Sequence, residues 1–421
     1  MAYSRRLIDE TLDRWLPELP AIAVDGAKGV GKTATASQRA RETFSLDREV
    51  TRRSVSDDPE VILASKATTF VDEWQLVPPV WDVVRRAVDD GATPGRFLLA
   101  GSASLPPQVR THSGAGRIVR LLMRPMALPE RAMESPTVSM TELLIGNRQV
   151  IGGSTQLATT DYVDEILMSG LPGIRRAGSS VRGELLDSYL DQIVEHEIVE
   201  AGATVRRPET LRGWLRAYGA ATATTASYAS ILAAATPGED SKPARQTAMG
   251  YRDLLARLWV LDPLPAWVPT FAHLDRLGQS PKHHLVDPAL AARLVGVNRA
   301  SLIRGEGPAG HDGTFLGAVF ESLAVQTLRV LAQACQAKAF HMRMQGGTHE
   351  VDIIVERSDL KVLAVEVKVS PIVRPADVAH LNWLDAELPG RVLDKVIINT
   401  GDRAYRRPDG VAVVPLALLG L

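Results

Sequence analysis

The chain has 421 residues, 45% of them hydrophobic, and its 48 basic and 49 acidic side chains leave a net charge of −1. This length predicts two or three domains with large apolar cores. Because the net charge is near zero, nucleic-acid binding by whole-molecule electrostatics is excluded, and any such surface has to be a local patch. The single Cys335 lies in an apolar helical run, which predicts a packing role and excludes a disulfide framework.

The amino-terminal residues show no apolar signal core, and no stretch approaches the roughly 20 apolar residues that a membrane span needs. We therefore expect a soluble, cytoplasmic protein without a membrane partner. Residues 7–16 have apolar side chains at helical spacing, which predicts an entry helix beside the first domain.

An apolar stretch over residues 21–25 leads into a glycine-rich loop and then a helical pattern. Glycines let backbone N–H groups turn inward toward phosphate oxygens, and the amino end of the following helix attracts the same anion. Lys32 is expected to reach the β- and γ-phosphates of ATP, and the Thr33 hydroxyl to bind Mg²⁺. The predicted nucleotide-binding residues are Gly26, Ala27, Lys28, Gly29, Val30, Gly31, Lys32, Thr33 and Ala34.

Two further strand patterns end in polar residues. Residues 68–73 form a β-rich run that ends in Asp72 and Glu73. Asp72 is expected beside the Mg²⁺ ion, and Glu73 is the candidate catalytic residue that polarises the attacking water. Residues 96–102 end in Ser102, a candidate phosphate sensor, with an ordinary turn serine as the alternative.

Beyond this third strand, residues 116–125 contain Arg117, Arg120 and Arg124 and no acid. An arginine near the γ-phosphate stabilises charge in the transition state, and sequence order makes Arg117 the best candidate for such a catalytic finger. The sequence leaves open whether Arg117 acts within its own chain or across a subunit interface. The alternative is that these arginines lie on a solvated strand edge or at a domain contact.

Strand and helix patterns alternate between residues 21 and 130, which predicts a P-loop NTPase domain over residues 1–134 with a parallel sheet. A helical connecting region is expected over 135–204. Residues 205–275 show three short helical patterns and then a strand-like run at 259–267, which predicts a winged-helix-like domain. Its third helix and the approach to it carry Lys242, Arg245, Arg252 and Arg257, compatible with DNA recognition. The alternatives are an ATPase lid or a protein contact.

Residues 276–421 predict a second α/β domain. Two β-runs at 349–356 and 361–369 form a predicted hairpin, in which residues two apart share a face. A Mg²⁺ site for phosphodiester hydrolysis uses such clustered polar groups: Asp352 and Glu366 as oxygen ligands, Lys368 orienting water, and Glu321 from an upstream helix. The alternative is that these strands merely alternate surface acids with core valines.

Together these motifs resemble the prokaryotic AAA-type ATP-binding proteins that carry a C-terminal domain of unknown function with a nuclease-like core. The resemblance covers nearly the whole chain and rests on residues 5–9, 26–33, 71–73, 101–102, 116–125, 169–173, 287–290, 320–321, 350–352 and 366–368. It implies an α/β multidomain fold, with a P-loop NTPase sheet, a central helical and winged-helix region and a restriction-endonuclease-like C-terminal domain, and it implies ATP and Mg²⁺ as cofactors. Where many members have Pro-Arg in the phosphate loop, this chain has Ala27 and Lys28, which keep the positive charge.

The sequence-based hypothesis is an ATP-hydrolysing switch whose nucleotide state repositions the winged-helix and nuclease-like parts. Glu73, Lys32, Arg117 and Ser102 are its candidate catalytic residues. DNA, a protein partner or a second copy of the chain are compatible partners. For the C-terminal half, an ATP-regulated nuclease and an inert interaction module both stay open. A small-molecule kinase is disfavoured, because adjacent Asp72 and Glu73 suit water activation.

Overall fold

The computed structural model describes residues 3–102, 114–148, 150–198, 208–235, 245–269, 277–306, 314–344 and 346–421. Its first elements are α1 Leu7–Trp15, β1 Ala21–Asp25, α2 Lys32–Ser37, β2 Glu42–Ser45, α3 Glu49–Asp57, β3 Thr69–Asp72, α4 Pro79–Asp89, β4 Phe97–Gly101 and β5 Val119–Leu122. The strands form one sheet in the order β2-β3-β4-β1-β5, with every neighbouring pair parallel. The predicted parallel sheet with crossover connections is therefore confirmed.

Apolar side chains cover both faces of this sheet. In β1, Ile22 and Val24 belong to one apolar cluster, whereas Ala21 and Ala23 belong to another. Successive side chains of a strand point to opposite faces, so a sheet covered on both sides needs apolar residues throughout its central strands. The carboxyl ends of β1, β3 and β4 lie side by side at one end of the strands. The residues that follow these three strands are therefore close together.

The middle of the chain is helical. Its elements are β6 Val138–Ser139, α5 Met140–Ile145, α6 Thr159–Met168, α7 Pro172–Arg175, α8 Ser179–Gln192, α9 Pro208–Ala220, α10 Tyr228–Ala235, α11 Arg245–Arg257, α12 Pro288–Val295 and α13 Arg299–Ile303. A π-helical turn, Ile193–Glu197, continues α8. The three short helices expected between residues 205 and 275 are present as α9, α10 and α11. Lys242 and the side chain of Arg245 lie outside the described residues.

The strand-like run after α11 pairs with residues beyond the expected domain boundary at 275/276. Isolated antiparallel bridges join Leu261 to Leu285 and Leu264 to Lys282. A third bridge joins Ala266 to His341, on the edge strand of the C-terminal sheet. The run and the residues near 282 thus form one ribbon against the C-terminal half. The winged-helix assignment stays a prediction, because a ribbon after three helices is only part of such a fold.

The C-terminal elements are α14 Phe315–Ala334, β7 Lys338–Arg343, β8 Glu350–Glu356, β9 Val362–Val367, α15 Ala379–Glu387, β10 Val392–Asn399, β11 Tyr405–Arg406, β12 Ala412–Pro415 and β13 Leu419–Gly420. Six of the strands form a mixed sheet in the order β11-β12-β10-β9-β8-β7. The predicted hairpin is confirmed, since β8 and β9 pair antiparallel. Strand β10 is parallel to both β9 and β12.

Helix α14 connects the C-terminal half to the rest of the protein, because it packs against α1 beside the amino-terminal sheet and against α6 and α12. By length and composition this helix could cross a membrane, since its most apolar window has a mean hydropathy of 1.4. The expectation that no stretch comes near a membrane span is therefore wrong for α14. However, 72% of that window is buried inside the protein, as in a core helix. At its carboxyl end, Cys335 packs against the apolar core as expected.

Candidate nucleotide-binding site

The phosphate loop between β1 and α2 depends on backbone conformations that favour glycine. Gly26 has a φ of +150° and Gly31 a φ of +105°. A Cβ atom on Gly26 would lie 2.2 Å from the carbonyl oxygen of Met123, so a larger residue would displace the backbone that follows β5. The loop that the sequence predicts is therefore possible only with glycine at its first position.

Lys32, the first residue of α2, is folded over this loop. Its ammonium group donates hydrogen bonds to the carbonyl oxygens of Gly26 at 2.8 Å and Ala27 at 3.0 Å. Burial lowers the pKa of Lys32, and the nearby carboxylates of Glu73 and Asp72 oppose this shift. An anion in the loop offers this ammonium group a charged acceptor, which forms a stronger hydrogen bond than a neutral carbonyl oxygen.

Thr33 and Asp72 meet at the carboxyl end of β3. The Thr33 hydroxyl donates to Asp72 Oδ2 at 2.8 Å, and Asp72 Oδ1 is buried without a hydrogen-bond partner among the described residues. Burial raises the pKa of Asp72, and the hydrogen bond from Thr33 opposes that shift. Carboxylate and hydroxyl oxygens are hard donors of the kind that Mg²⁺ prefers. These two side chains therefore fit a magnesium ion.

Glu73 and Ser102, the candidate base and sensor, are brought into direct contact. The Ser102 hydroxyl donates to Glu73 Oε2 at 2.9 Å, and the side-chain amide of Gln75 donates to the same oxygen. Ser102 is buried at the end of β4, the strand next to β3. Gln75 was missed by sequence reasoning, and its only signal is its place two residues after Glu73.

Arg117 lies far from the phosphate loop within its own chain. It precedes the amino end of β5, whereas the loop follows the carboxyl end of β1, a strand parallel to β5. Its guanidinium forms an ion pair with Asp89 at the end of α4. The structure therefore does not bring Arg117 to the phosphate loop of its own chain, because the two groups lie at opposite ends of these neighbouring strands. Its action on a neighbouring subunit stays a prediction.

Two side chains from the helical middle region reach the phosphate loop, and sequence reasoning missed both. Glu197, in the π-helical turn after α8, forms an ion pair with Lys28. The Tyr189 hydroxyl on α8 donates to the carbonyl oxygen of Lys28 at 3.1 Å. No local motif marks these residues, because they are 169 and 161 positions away from Lys28.

A buried lysine lies among the predicted metal ligands of the C-terminal half. Lys282 Nζ is 2.9 Å from Glu321 Oε1 and 3.0 Å from both Glu350 Oε1 and Asp352 Oδ1. Burial by itself would lower the pKa of Lys282, but Asp352, Glu321 and Glu350 outweigh it and raise this pKa well above the ordinary value. The ammonium group therefore lies at the position between carboxylates that a divalent ion would need.

The other two predicted residues of this cluster pair with each other. Lys368 Nζ lies 2.7 Å from Glu366 Oε1, and Glu366 Oε2 is buried without a hydrogen-bond partner in the described part of the chain. Burial, followed by the neighbouring Asp352, raises the pKa of Glu366 to about 8. Within the described ranges, no group of three or more His, Cys, Asp or Glu residues is arranged to hold a metal ion. The structure thus gathers the predicted residues but balances them with lysines.

Three family models match separate segments of the chain. A model described as an AAA domain matches residues 18–132. Two models described as domains of unknown function, DUF8612 and DUF4143, match residues 159–301 and 316–419. The parallel sheet and the first match support an AAA-type domain of the P-loop ATPase class in the amino-terminal part. The other two matches assign no chemistry.

Similar proteins include uncharacterized proteins of Mycobacterium tuberculosis and Mycobacterium bovis, each 25% identical over 367 residues, which are 85% of this chain and 72% of the relative. Among solved structures, a Walker-type ATPase of Pyrococcus abyssi has a TM-score of 0.42 at 13% identity, over 69% of this chain and 96% of that chain. The replication initiator DnaA bound to AMPPCP and single-stranded DNA has a TM-score of 0.26 at 14% identity, over 61% and 89%. Both structural likenesses are distant, so the assignment of the class rests on the AAA-domain match and the site geometry.

Proposed function

We propose that the protein is a Mg²⁺-dependent ATPase whose nucleotide state controls its helical middle region and its C-terminal half. The observation that carries this proposal is the pair formed by Thr33 and Asp72, with one buried Asp72 oxygen lacking a partner among the described residues, next to the buried Lys32. A buried carboxylate oxygen without a partner is costly unless a ligand compensates it. The AAA-domain match over residues 18–132 supports the same conclusion.

In the proposed reaction a water molecule attacks the γ-phosphorus, the bond to the β–γ bridging oxygen breaks, and ADP and inorganic phosphate form. Glu73 orients the water and takes its proton, while Ser102 positions Glu73 through their hydrogen bond. Lys32 and the backbone N–H groups of residues 26–31 bind the phosphate oxygens. When bound by Thr33 and Asp72, Mg²⁺ supplies positive charge that stabilises the phosphate oxygens.

In this proposal Lys28 relays the nucleotide state to the middle region. Its ammonium group pairs with Glu197, and the phosphates of ATP would compete for it as a more highly charged partner. Glu197 lies in the π-helical turn that continues α8, a rare form that is frequent at functional sites. Release of Glu197 by Lys28 therefore changes the contact between α8 and the phosphate loop.

Two variants and a control test the ATPase proposal. Lys32→Ala should lose tight ATP binding, because it lacks the buried cation of the loop. Glu73→Gln should bind ATP but turn over at least roughly 100-fold more slowly, because the amide cannot accept the proton. Calorimetric titration with ATP and Mg²⁺ measures binding, and release of inorganic phosphate measures turnover. The exposed Arg53→Ala should match the wild type. Equal turnover in all four proteins would refute the proposal.

For the C-terminal half we favour an interaction module that does not cut nucleic acid. Lys282 supports this view, because its ammonium group already lies between Glu321, Glu350 and Asp352, where a divalent ion would have to sit. ATP would then change the affinity of this half for DNA, for a protein partner or for a second copy of the chain. Incubation with Mg²⁺, ATP and several nucleic acids tests the choice. Strand cuts that disappear in Asp352→Ala would establish the nuclease alternative instead.

A further inference from the structure

Arg6, the residue before α1, contacts the phosphate loop from outside. Although its side chain is charged, only 5% of the residue is exposed. Its guanidinium donates hydrogen bonds to the carbonyl oxygens of Val30 at 3.0 Å and Arg124 at 2.9 Å, and to Glu130 Oε2 at 3.0 Å. One buried guanidinium thus joins the phosphate loop to the segment that follows β5.

The contact with Val30 bears on the direction of the next amide. Val30 and Gly31 share a peptide bond, and in a planar trans peptide the C=O and N–H groups point in opposite directions. Since Arg6 holds the Val30 oxygen on one side, the Gly31 N–H points to the other side. Gly31 has a φ of +105° and no side chain to restrict this peptide plane, so an external contact is needed to keep one orientation.

The segment that carries Arg6 is itself fixed to the helix after the loop. Asp9 accepts hydrogen bonds from the backbone N–H of Arg6 and from the Arg39 guanidinium, both at 2.6 Å. The Tyr3 hydroxyl contacts Asp9 and lies 2.9 Å from the Thr35 hydroxyl of α2. Arg6 is therefore held in one place relative to the loop whose carbonyl oxygen it binds.

We propose that Arg6 is a positioning residue of the nucleotide site, which directs the Gly31 N–H at the phosphates of ATP. This role rests on the nucleotide binding proposed above. Arg6 acts through the peptide between Val30 and Gly31 and touches no reacting atom. Its planar guanidinium donates in fixed directions to acceptors on residues 30, 124 and 130, a spread that the compact ammonium group of a lysine does not reproduce.

The test compares Arg6→Met and Arg6→Lys with Arg5→Met in the full chain. Arg5 is the matched control, because it is the adjacent arginine and pairs with Asp13 on the surface. Calorimetry measures the Kd for ATP with Mg²⁺, and thermal unfolding measures Tm without nucleotide. We expect the Kd to rise at least about tenfold in Arg6→Met, less in Arg6→Lys, and to stay within about twofold in Arg5→Met.

A Kd of Arg6→Met equal to that of Arg5→Met, with or without a lower Tm, would overturn the role, because Arg6 would then only stabilise the fold. If Arg6→Met does not fold, Arg6→Lys decides by the same comparison: a raised Kd supports the role, and an unchanged Kd overturns it. Absence of ATP binding by the wild type would overturn the proposed function as well. Wild-type binding that every variant retains would overturn the role of Arg6 alone.

Discussion

At Glu73 the backbone adopts a conformation that its own side chain does not favour. Its φ of +52° lies in the left-handed region, which costs a residue other than glycine on the order of 1 kcal/mol. Such a residue persists when its surroundings hold it. Here the Glu73 carboxylate accepts hydrogen bonds from Ser102, which follows β4, and from Gln75, which lies two residues after Glu73. The direction of the proposed base is therefore set by its neighbours.

Ser102→Ala should lower ATP turnover by about five- to tenfold, because one hydrogen bond contributes about 1 kcal/mol to holding Glu73. The Kd for ATP should stay the same, since Ser102 contacts Glu73 and is not among the loop residues that bind phosphate. Phosphate release and calorimetric titration measure the two quantities. Turnover faster than that of the wild type would mean that this hydrogen bond restrains Glu73.

At the scale of elements, strand β8 and helix α14 assemble an acidic cluster that needs a cation. Glu321 comes from α14, and Glu350 and Asp352 come from β8. Carboxylates gathered away from water repel one another unless a positive group lies between them. Lys282, from the ribbon that precedes α12, supplies that charge. Pairing between the ribbon and the C-terminal half is therefore stabilised by charge as well as by apolar packing.

Lys282→Met should lower the free energy of unfolding by about 3 to 5 kcal/mol, because it removes the cation beside the buried Asp352 and the partly buried Glu321. Urea unfolding at neutral pH measures this loss. Lys338→Met, at an exposed position on β7, is the matched control and should change the free energy by no more than about 0.5 kcal/mol. A Lys282→Met protein as stable as that control would contradict the charge balance described for this cluster.

At the scale of the whole molecule, partly buried ion pairs connect the amino-terminal domain, the helical middle region and the C-terminal half. Asp262 lies between two arginines, with Oδ2 at 2.7 Å from Arg124 Nε and Oδ1 at 3.0 Å from a terminal nitrogen of Arg329. Arg124 follows β5 of the ATPase sheet, Asp262 belongs to the ribbon, and Arg329 belongs to α14. These ion pairs connect the three parts in the way that the proposed ATP-driven switch would need.

Asp262→Asn should be less stable than the wild type by roughly 2 kcal/mol at neutral pH. Burial would raise the pKa of Asp262, but Arg124 and Arg329 outweigh it and lower this pKa to about 2. A carboxyl group whose pKa is lowered by folding stabilises the folded state at every pH above its pKa in the unfolded chain. This contribution is lost as the pH falls from about 4 to about 2. The difference between variant and wild type should therefore shrink over that range.

Denaturation curves at several pH values measure this difference, with the exposed Asp57→Asn as control. Asparagine resembles the protonated carboxyl group, so the two proteins should converge once Asp262 is protonated. A stability difference that stays constant down to about pH 2 would show that Asp262 acts through shape and not through its charge.

The sequence by itself determined the parallel sheet, the phosphate loop with Lys32 and Thr33, the strand that ends in Asp72 and Glu73, and the C-terminal hairpin. These features depend on local rules: apolar periodicity, glycine in a tight turn, and the position of polar residues at strand ends. Gly26 is one example, because its positive φ is a conformation that glycine adopts readily and other residues rarely adopt.

Only the tertiary structure decided that Lys282 lies among the carboxylates, that Glu197 pairs with Lys28, that Arg6 binds the phosphate loop, and that Arg117 lies at the amino end of β5, away from this loop. Each of these contacts joins residues that are distant in the sequence or depends on the direction of a strand. An ion pair needs opposite charges in reach of each other, and the order of residues along a chain does not specify which charges the fold will bring together.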